Sequence, residues 1–539
     1  MPADCLSYKE TNYFTRLITD YLEQKDEIKE FYHRFPAIEN FGAQIEEKKE
    51  SFSANNRQVL VEVLQEQYKE LVVSQAVSEN IQLLNEENTF SITTGHQLNL
   101  FTGPLYFLYK IVSAINLASA LKREYPQTNF VPVYWMATED HDFEEINFFN
   151  LNGKKFKWNS SQPGAGKDAV GNLSTEGLEE VFDLFSAEIG GGKTAQKLKE
   201  LFKKAYLEHK NLTDATRYLA NELFGEYGLL IIDGDNKALK TKFIPYLEKE
   251  LFDHVSHKAT EPIAQKLNEL GYGVQVNPRE INLFYLYNGL RERIIEQESR
   301  FYVNETTISW SADELKQHVN DHPERFSPNV MTRPLYEEVV LPNLCYIGGG
   351  GELAYWFELK AYFEKVEVPF PILLLRNSAL IETAKQNEKR RKLDISQTEL
   401  FLKQHELINR KVRKISNIDI DFSPQKEHLV RQFSHLYELA EKTDKTFLNA
   451  VKAQEVKQLK GLDNLEKRLL KAQKRKLSDE VTRIARLQNE LFPNQSLQER
   501  QINFSEMYLE YGGGLISTLI ENLDPLDLRF TILSLDAPS

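Results

Sequence analysis

The stretch from residue 89 to residue 142 most narrows what this chain can fold into. Thr89-Phe90-Ser91-Ile92 is β-capable, and T-T-G-H-Q-L-N-L-F-T-G-P follows at 93–104. Residues 105–112 and 114–118 carry apolar side chains all round, which predicts a buried helix. The next β-capable run, Phe130-Val131-Pro132-Val133-Tyr134-Trp135-Met136, leads to Thr138-Glu139-Asp140-His141-Asp142. Strand, helix and strand at this spacing predict a βαβ unit with parallel neighbouring strands. Ligands of open α/β sheets bind beyond the carboxyl ends of such strands. Gly95, His96 and Gln97 are therefore expected to face Glu139, Asp140, His141 and Asp142 across one crevice.

On either side the pattern changes. Residues 11–85 read as helical, with Tyr13-Phe14, Leu17-Ile18 and Tyr21-Leu22 at spacings of three and four. After about 149 an insertion opens: Leu151-Asn152-Gly153-Lys154 reads as a turn and 160–167 as a loop, followed by helices near 176–187 and 194–224. The apolar run at 227–235, bounded by Gly and Asp, predicts a strand buried on both faces. Further strands are expected at 274–276, 283–287, 344–347 and 370–376. Asn288-Gly289 should form a hairpin turn, with 291–295 as its return strand. Helices are expected at 335–341 and 352–359, flanking the strand and the four glycines 348–351. Beyond about 381 strands stop. Apolar residues at 433–491 recur at heptad-like spacing, the mark of a coiled coil or long helical hairpin, and Phe401-Leu402, Leu407-Ile408 and Val412 offer an antiparallel partner. An apolar piece at 526–533 is expected to pack back on the body. The expected division is a first core part with N-terminal helices (1–150), an inserted connecting segment (151–225), a second core part with a smaller insertion (226–380), a helical coiled coil (381–492) and a tail (493–539).

Composition limits the function classes. At 539 residues, 41% hydrophobic and with 32 Phe and 24 Tyr, the chain can bury a large core across more than one domain. A net charge of −14 argues against a general nucleic-acid binder. Two cysteines, Cys5 and Cys345, make neither a disulfide framework nor a zinc site. Met1-Pro2-Ala3-Asp4-Cys5 lacks a signal pattern and no run is long enough to span a bilayer, so a cytoplasmic protein without membrane contact is expected.

The candidate chemistry has bland counterparts. His96, between Gly95 and Gln97, is a phosphate or adenylate contact, or a capping-loop histidine satisfying a carbonyl. Thr102-Gly103-Pro104 reads as a helix start. Lys110 either reaches the crevice or is solvated. Glu139-Asp140-His141-Asp142 suits metal binding, amine positioning or general-base work, or else caps a helix. Asp140 and His141 are the favoured pair, because adjacent residues cannot all point one way. Asp253-His254 and His257 read as a surface feature before a metal pair. Glycines 348–351 before Glu352 form an anion cradle or a tight strand–helix junction. Arg333 and Arg376 clamp carboxylates bidentately or sit in structural ion pairs. The basic run Lys467-Arg468, Lys471 and Lys474-Arg475-Lys476 is a solvated helix face before it is an RNA arm, since no aromatics interleave. No G-x-G-x-x-G is present, and Gly164-Ala165-Gly166-Lys167 lacks Walker spacing.

Three long runs stand in order: T-G-H-Q-L-N-L-F-T-G-P-L-Y at 94–106, V-P-V-Y-W-M-A-T-E-D-H-D-F-E-E-I-N at 131–147, and R-P-L-Y-E-E-V-V-L-P-N-L-C-Y-I-G-G-G-G-E-L-A-Y-W at 333–356. Together they resemble the BshC family, the cysteine-adding enzymes of bacillithiol biosynthesis, over essentially the whole chain. The resemblance implies an α/β fold: a Rossmann-like nucleotidyl-transferase core with connecting insertions, akin to class I aminoacyl-tRNA synthetases, plus a C-terminal α-helical coiled-coil domain that promotes homodimerisation. It implies a ligase joining the cysteine carboxyl to the glucosamine amine of glucosaminyl malate, with ATP or another adenine nucleotide as activator and Mg2+ accompanying it. Carried onto matching positions, Gly95, His96, Gln97 and Thr102 lie in the first run. Glu139, Asp140, His141 and Asp142 lie in the second, and Arg333, Gly348, Gly349, Gly351 and Glu352 in the third. On this reading Asp140 or His141 deprotonates the amine, with His96 a further catalytic candidate. Backbone donors at Gly95 and glycines 348–351 hold phosphate, and Arg376 or Arg333 grips malate. Arg500 and Asn503 in the tail are candidates for completing a second pocket. H-x-G-H and K-M-S-K-S are absent as written. The competing readings are a synthetase-like RNA-binding protein and a non-catalytic scaffold for bacillithiol enzymes.

Overall fold

The computed structural model describes residues 4–160, 162 and 165–535. The expected loop at 160–167 falls partly on Ser161, Pro163 and Gly164, which lie outside the described residues, as do Met1, Pro2 and Ala3. Residues up to Ile381 and from Leu497 onward form one compact unit, and Glu382–Ser496 forms another.

The first unit is built on five strands: β1 (Thr89–His96), β2 (Asn129–Met136), β3 (Leu230–Asp233), β4 (Asn343–Gly348) and β5 (Ile372–Leu375). All are parallel, in the order β5-β4-β1-β2-β3. Every residue of β1 is buried, as expected of a strand covered on both faces. Helix α1 (Tyr106–Glu124) links β1 to β2, so the βαβ expectation holds. Its Ala114, Leu117 and Leu121 pack on Phe90, Ile92, Leu344, Ile347, Ile372 and Leu374 of the sheet. The strand order reverses between β1 and β4, which puts the ends of β1, β2 and β4 around a common crevice.

Two insertions flank the sheet. The first carries the antiparallel pair Phe148–Leu151 and Lys154–Lys157, joined through Asn152 and Gly153 at φ 51° and 73°. The helices Leu178–Ile189, Lys193–Leu207 and α2 (Leu212–Phe224) follow. Phe101, Phe149, Phe185 and Phe202 form its aromatic centre. The second follows α3 (Lys237–Asp253) and holds five antiparallel strands, among them Leu283–Tyr287, Leu290–Gln297 and Phe326–Pro328. Asn288 and Gly289 make the expected two-residue turn, at φ 48° and 78°. The strand expected at 274–276 is absent. The buried carboxylate of Glu358 accepts from the Gln275 and Val276 amides (3.0 and 3.3 Å), so no neighbouring strand is needed to satisfy them. Two helices then bracket β4: α4 (Arg333–Val340) and α5 (Gly350–Trp356). The tail returns as Phe530–Leu535, antiparallel to Asp4–Leu6, with Leu526 and Leu528 against the core.

In the second unit, Ser423–Ala440 and Lys445–Lys476 form a helical hairpin around Phe433, Ala440 and Val451. Lys426 meets Asp463 and Glu466 while Tyr437 meets Glu455, the pairing of an antiparallel turn-back. The heptad-like run at 433–491 is interrupted at Leu477, where the backbone leaves helical geometry (φ −102°, ψ 31°). The expected partner segment packs on the following helix, Ser478–Leu491: Gln488 donates to the Leu400 and Leu402 carbonyls (3.0 and 2.7 Å).

Candidate active site at the ends of the parallel strands

A cavity of about 710 Å3 opens beyond the ends of β1 and β2. Of the sequence candidates, Gly95, His96, Gln97, Glu139, Asp140, His141, Arg333 and Glu352 line it.

Its floor is a network of charged and hydroxyl groups in which Lys110 and Glu337 are buried and Arg333 and Glu352 are 19% and 27% exposed. Lys110, on α1, donates to the Gly95 carbonyl (2.6 Å) and to Glu352 (2.6 Å to Oε1). Tyr346 Oη donates to Glu352 Oε2 (2.9 Å) and the Gly349 amide to Oε1 (3.1 Å). Burial raises the Glu352 carboxyl, but Lys110 and the other donors outweigh it and hold it below the usual range. Burial pulls the Lys110 ammonium down. Arg333 spans Glu337 (2.8 Å) and the Tyr355 hydroxyl (2.8 Å). Burial pushes the Glu337 carboxyl up to about 8. Gly95 has a steric reason to be glycine: a Cβ there would lie 3.2 Å from Tyr346 Oη and 3.7 Å from Arg333 Nη1.

The β2 side is more open. Asp140, 30% exposed, accepts from Gln97 Nε2 (2.9 Å) and from the His141 amide (2.8 Å). Arg291 Nη1 donates to His141 Nδ1 (2.7 Å). A guanidinium has no lone pair to offer, so Nδ1 is the acceptor and the neutral ring carries its proton on Nε2. Arg291 is itself fixed: it donates to Ser327 Oγ (3.2 Å) and its guanidinium lies 4.0 Å over the Phe284 ring. Beside them, buried Lys240 bridges Glu139 (2.5 Å) and Asp235 (2.8 Å), and burial raises the Glu139 carboxyl.

The other sequence candidates sit elsewhere. His96 edges the cavity, but it is 7% exposed and its ring packs on Tyr106 and Phe107. Burial, then Lys110 and Arg376, hold its pKa far down, so the ring is neutral. Thr102 is buried at φ 68° in a short turn before α1 and does not line the cavity. Asp142 is exposed at the start of Phe143–Ile146. Arg376 is 2% exposed, bonded to Glu499 (2.7 Å) and to the Asn377 carbonyl, so its fork is already engaged by protein. Asn503 donates to the Phe101 and Gly103 carbonyls (2.7 and 2.6 Å), tying the tail to the first loop. Arg500 is exposed, 5.9 Å from the Tyr106 ring. Gly348, Gly349 and Gly351 do not line the cavity. The Gly348 carbonyl accepts from the Arg376 amide, Gly349 gives its amide to Glu352, and Gly351 is exposed. The anion cradle expected there is thus partly filled by the chain's own carboxylate.

Sequence reasoning missed Arg291, Lys240 and Tyr346. The Asn288-Gly289 turn could have flagged Arg291, two residues into the return strand. Nothing in the sequence marks Lys240. Among the described residues, no three His, Cys, Asp or Glu side chains converge as a metal group, and no helix is long and apolar enough to cross a membrane.

Comparison with known proteins agrees with this architecture. The family described as "Bacillithiol biosynthesis BshC, N-terminal Rossmann-like domain" matches residues 1–377, and "Bacillithiol biosynthesis BshC, C-terminal coiled-coil domain" matches 379–535. A Christiangramia forsetii protein named "Putative cysteine ligase BshC" is 68% identical over 534 residues, covering 99% of each chain. Proteins of the same name from Flavobacterium johnsoniae and Cytophaga hutchinsonii are 57% and 39% identical, covering 99% and 96% of this chain and 100% and 96% of theirs. The chain therefore belongs to the BshC family of bacillithiol biosynthesis, with its Rossmann-like and coiled-coil domains in that order.

Proposed function

We propose that the protein is a cysteine ligase that forms an amide between the carboxyl of L-cysteine and the glucosamine amine of glucosaminyl malate. The observation that carries the reading is the Asp140–His141–Arg291 arrangement at the end of β2, in a cavity of small-molecule size. Amide formation needs an activated carboxyl, and an adenine nucleotide supplies it as acyl-adenylate or acyl-phosphate. Asp140, an acceptor open to the cavity, takes the proton from the amine as its nitrogen attacks the acyl carbon. The C–N bond forms, and the nucleotide or phosphate leaves with the bonding pair. His141 Nε2–H donates to the negative charge that develops on the carbonyl oxygen. Arg279, exposed at the cavity rim, meets phosphate or malate carboxylate, because Lys110 and Arg333 are engaged by Glu352 and Glu337. Mg2+ would enter with the nucleotide; its ligands would be phosphate oxygens and water more than protein.

The test is direct. Purified protein with cysteine, glucosaminyl malate and ATP should yield the amide and a stoichiometric nucleotide product by mass spectrometry. No amide with ATP or any other adenine nucleotide would remove the reading. A scaffold would show neither product nor nucleotide turnover.

The second unit is read as a homodimer contact. Leu436, Leu439, Phe447, Leu448, Val456 and Leu465 are exposed on its hairpin, an apolar face that a second copy would cover. Leu439→Glu with Leu465→Glu should turn a dimer into a monomer by light scattering. An unchanged mass would place the contact elsewhere.

A further inference from the structure

Four polar side chains converge on one small cavity without a partner among the described residues. The cavity measures about 10 Å3, which is room for one water and not two. His96, Asn99 and Thr102 line it from the loop after β1, and Thr216 lines it from α2. The atoms are His96 Nε2, Asn99 Oδ1, Thr102 Oγ1 and Thr216 Oγ1, each shielded from solvent and unbonded. All four residues are at least 92% buried, with exposures of 7, 8, 4 and 6%. A buried polar atom left unpaired is uncommon in a folded protein, and four around one cavity point to a shared partner.

The roles of these atoms can be worked out. Asn99 Nδ2 donates to the Glu145 carbonyl (3.2 Å), so Oδ1 is the remaining acceptor. The buried His96 ring is neutral, so one of its nitrogens carries the proton and the other a lone pair. With the proton on Nδ1, Nε2 presents that lone pair to the cavity, which is the tautomer the site requires. The two threonine hydroxyls are free to donate. Two acceptors and two donors around space for a single oxygen are the complement of one water molecule, which has two hydrogens and two lone pairs.

We propose that this cavity is a built site for one buried water, donating to His96 Nε2 and Asn99 Oδ1 and accepting from the Thr102 and Thr216 hydroxyls. The water ties the loop at 96–102, which turns through Phe101 and Thr102 at positive φ (49° and 68°), to a helix of the first insertion. Gln97, which also lines this cavity, holds Asp140. His96 thus spends its lone pair on a structural water and not on a ligand. The inference is independent of the ligase reading, because it concerns only these four atoms.

A crystal structure of the full chain at about 1.8 Å or better tests it. One density peak should lie about 2.7–3.1 Å from all four atoms. It should persist in Thr216→Ser and weaken or vanish in Thr216→Val, which should also melt lower than Thr216→Ser. In the wild type, histidine side-chain 15N shifts should show His96 with its proton on Nδ1. An empty cavity, with the four side chains turned to bond one another, would overturn the proposal. So would a peak with more than four ligands, which would mark a cation. The wild-type density and shifts decide the matter even if Thr216→Val does not fold.

Discussion

The two walls of the cavity differ in how much of their polarity is already spent. On the β4 side, Lys110, Glu352, Tyr346, Arg333, Glu337 and Tyr355 are bonded to one another. On the β2 side, Asp140 and His141 are about one-third exposed, and each is oriented by a partner that leaves a functional atom over. A network bonded mostly within itself shapes a site, whereas a group oriented but open to the cavity can exchange protons with a ligand. Asp140 and His141 therefore carry the chemistry in our reading, and the charges below them hold the shape.

Asp140→Asn should separate the walls most sharply. It keeps the shape and removes the base, so amide formation should fall about 10²–10⁴-fold with unfolding unchanged. Mass spectrometry of product beside a melting curve would show it, and near-normal turnover would move the base elsewhere. Lys110→Met should do the reverse. It leaves Glu352, 27% exposed, without its cation, a loss of about 1–3 kcal/mol, and Lys110→Met with Glu352→Gln should recover part of it. If Lys110→Met melts like wild type, the network does not hold the floor. Arg291→Met should be intermediate, slowing turnover by up to about 10²-fold with little change in KM and with an altered pH–rate profile. A KM effect alone would make Arg291 a binding residue.

A pH dependence follows from Glu337, whose folded carboxyl is pushed up to about 8. A carboxyl raised above its unfolded value contributes stability that is complete below the unfolded pKa, near 4.3. That contribution is lost as pH rises through about 8. Stability should therefore decline from pH 5 to pH 8, and Glu337→Gln should flatten that slope in denaturant titrations. An unchanged slope would assign the dependence to other groups.

Much of the βαβ framework was legible before any coordinates. The apolar runs at 89–92 and 130–136, the glycine-bearing loop and the Asn288-Gly289 turn all describe local preferences that the fold honours. The expected strand at 274–276 failed because a distant carboxylate, Glu358, took its amides. The heptad-like run at 433–491 carried no sign of the break at Leu477, because apolar spacing does not register where the backbone leaves helical geometry.

Local periodicity and turn chemistry act over a few residues, so the sequence by itself determined the parallel sheet, the crevice between its strand ends and the helical second unit. It also placed Asp140 and His141 there through their position at a strand end. Only the tertiary structure decided which charges remain available. Arg376 was a candidate in the sequence and Arg291 was not; Glu499, 123 residues away, engages the first, while His141, 150 residues away, receives the second. Ion pairing in a buried site depends on which side chains are brought within a few ångströms, and that is a property of the packed chain.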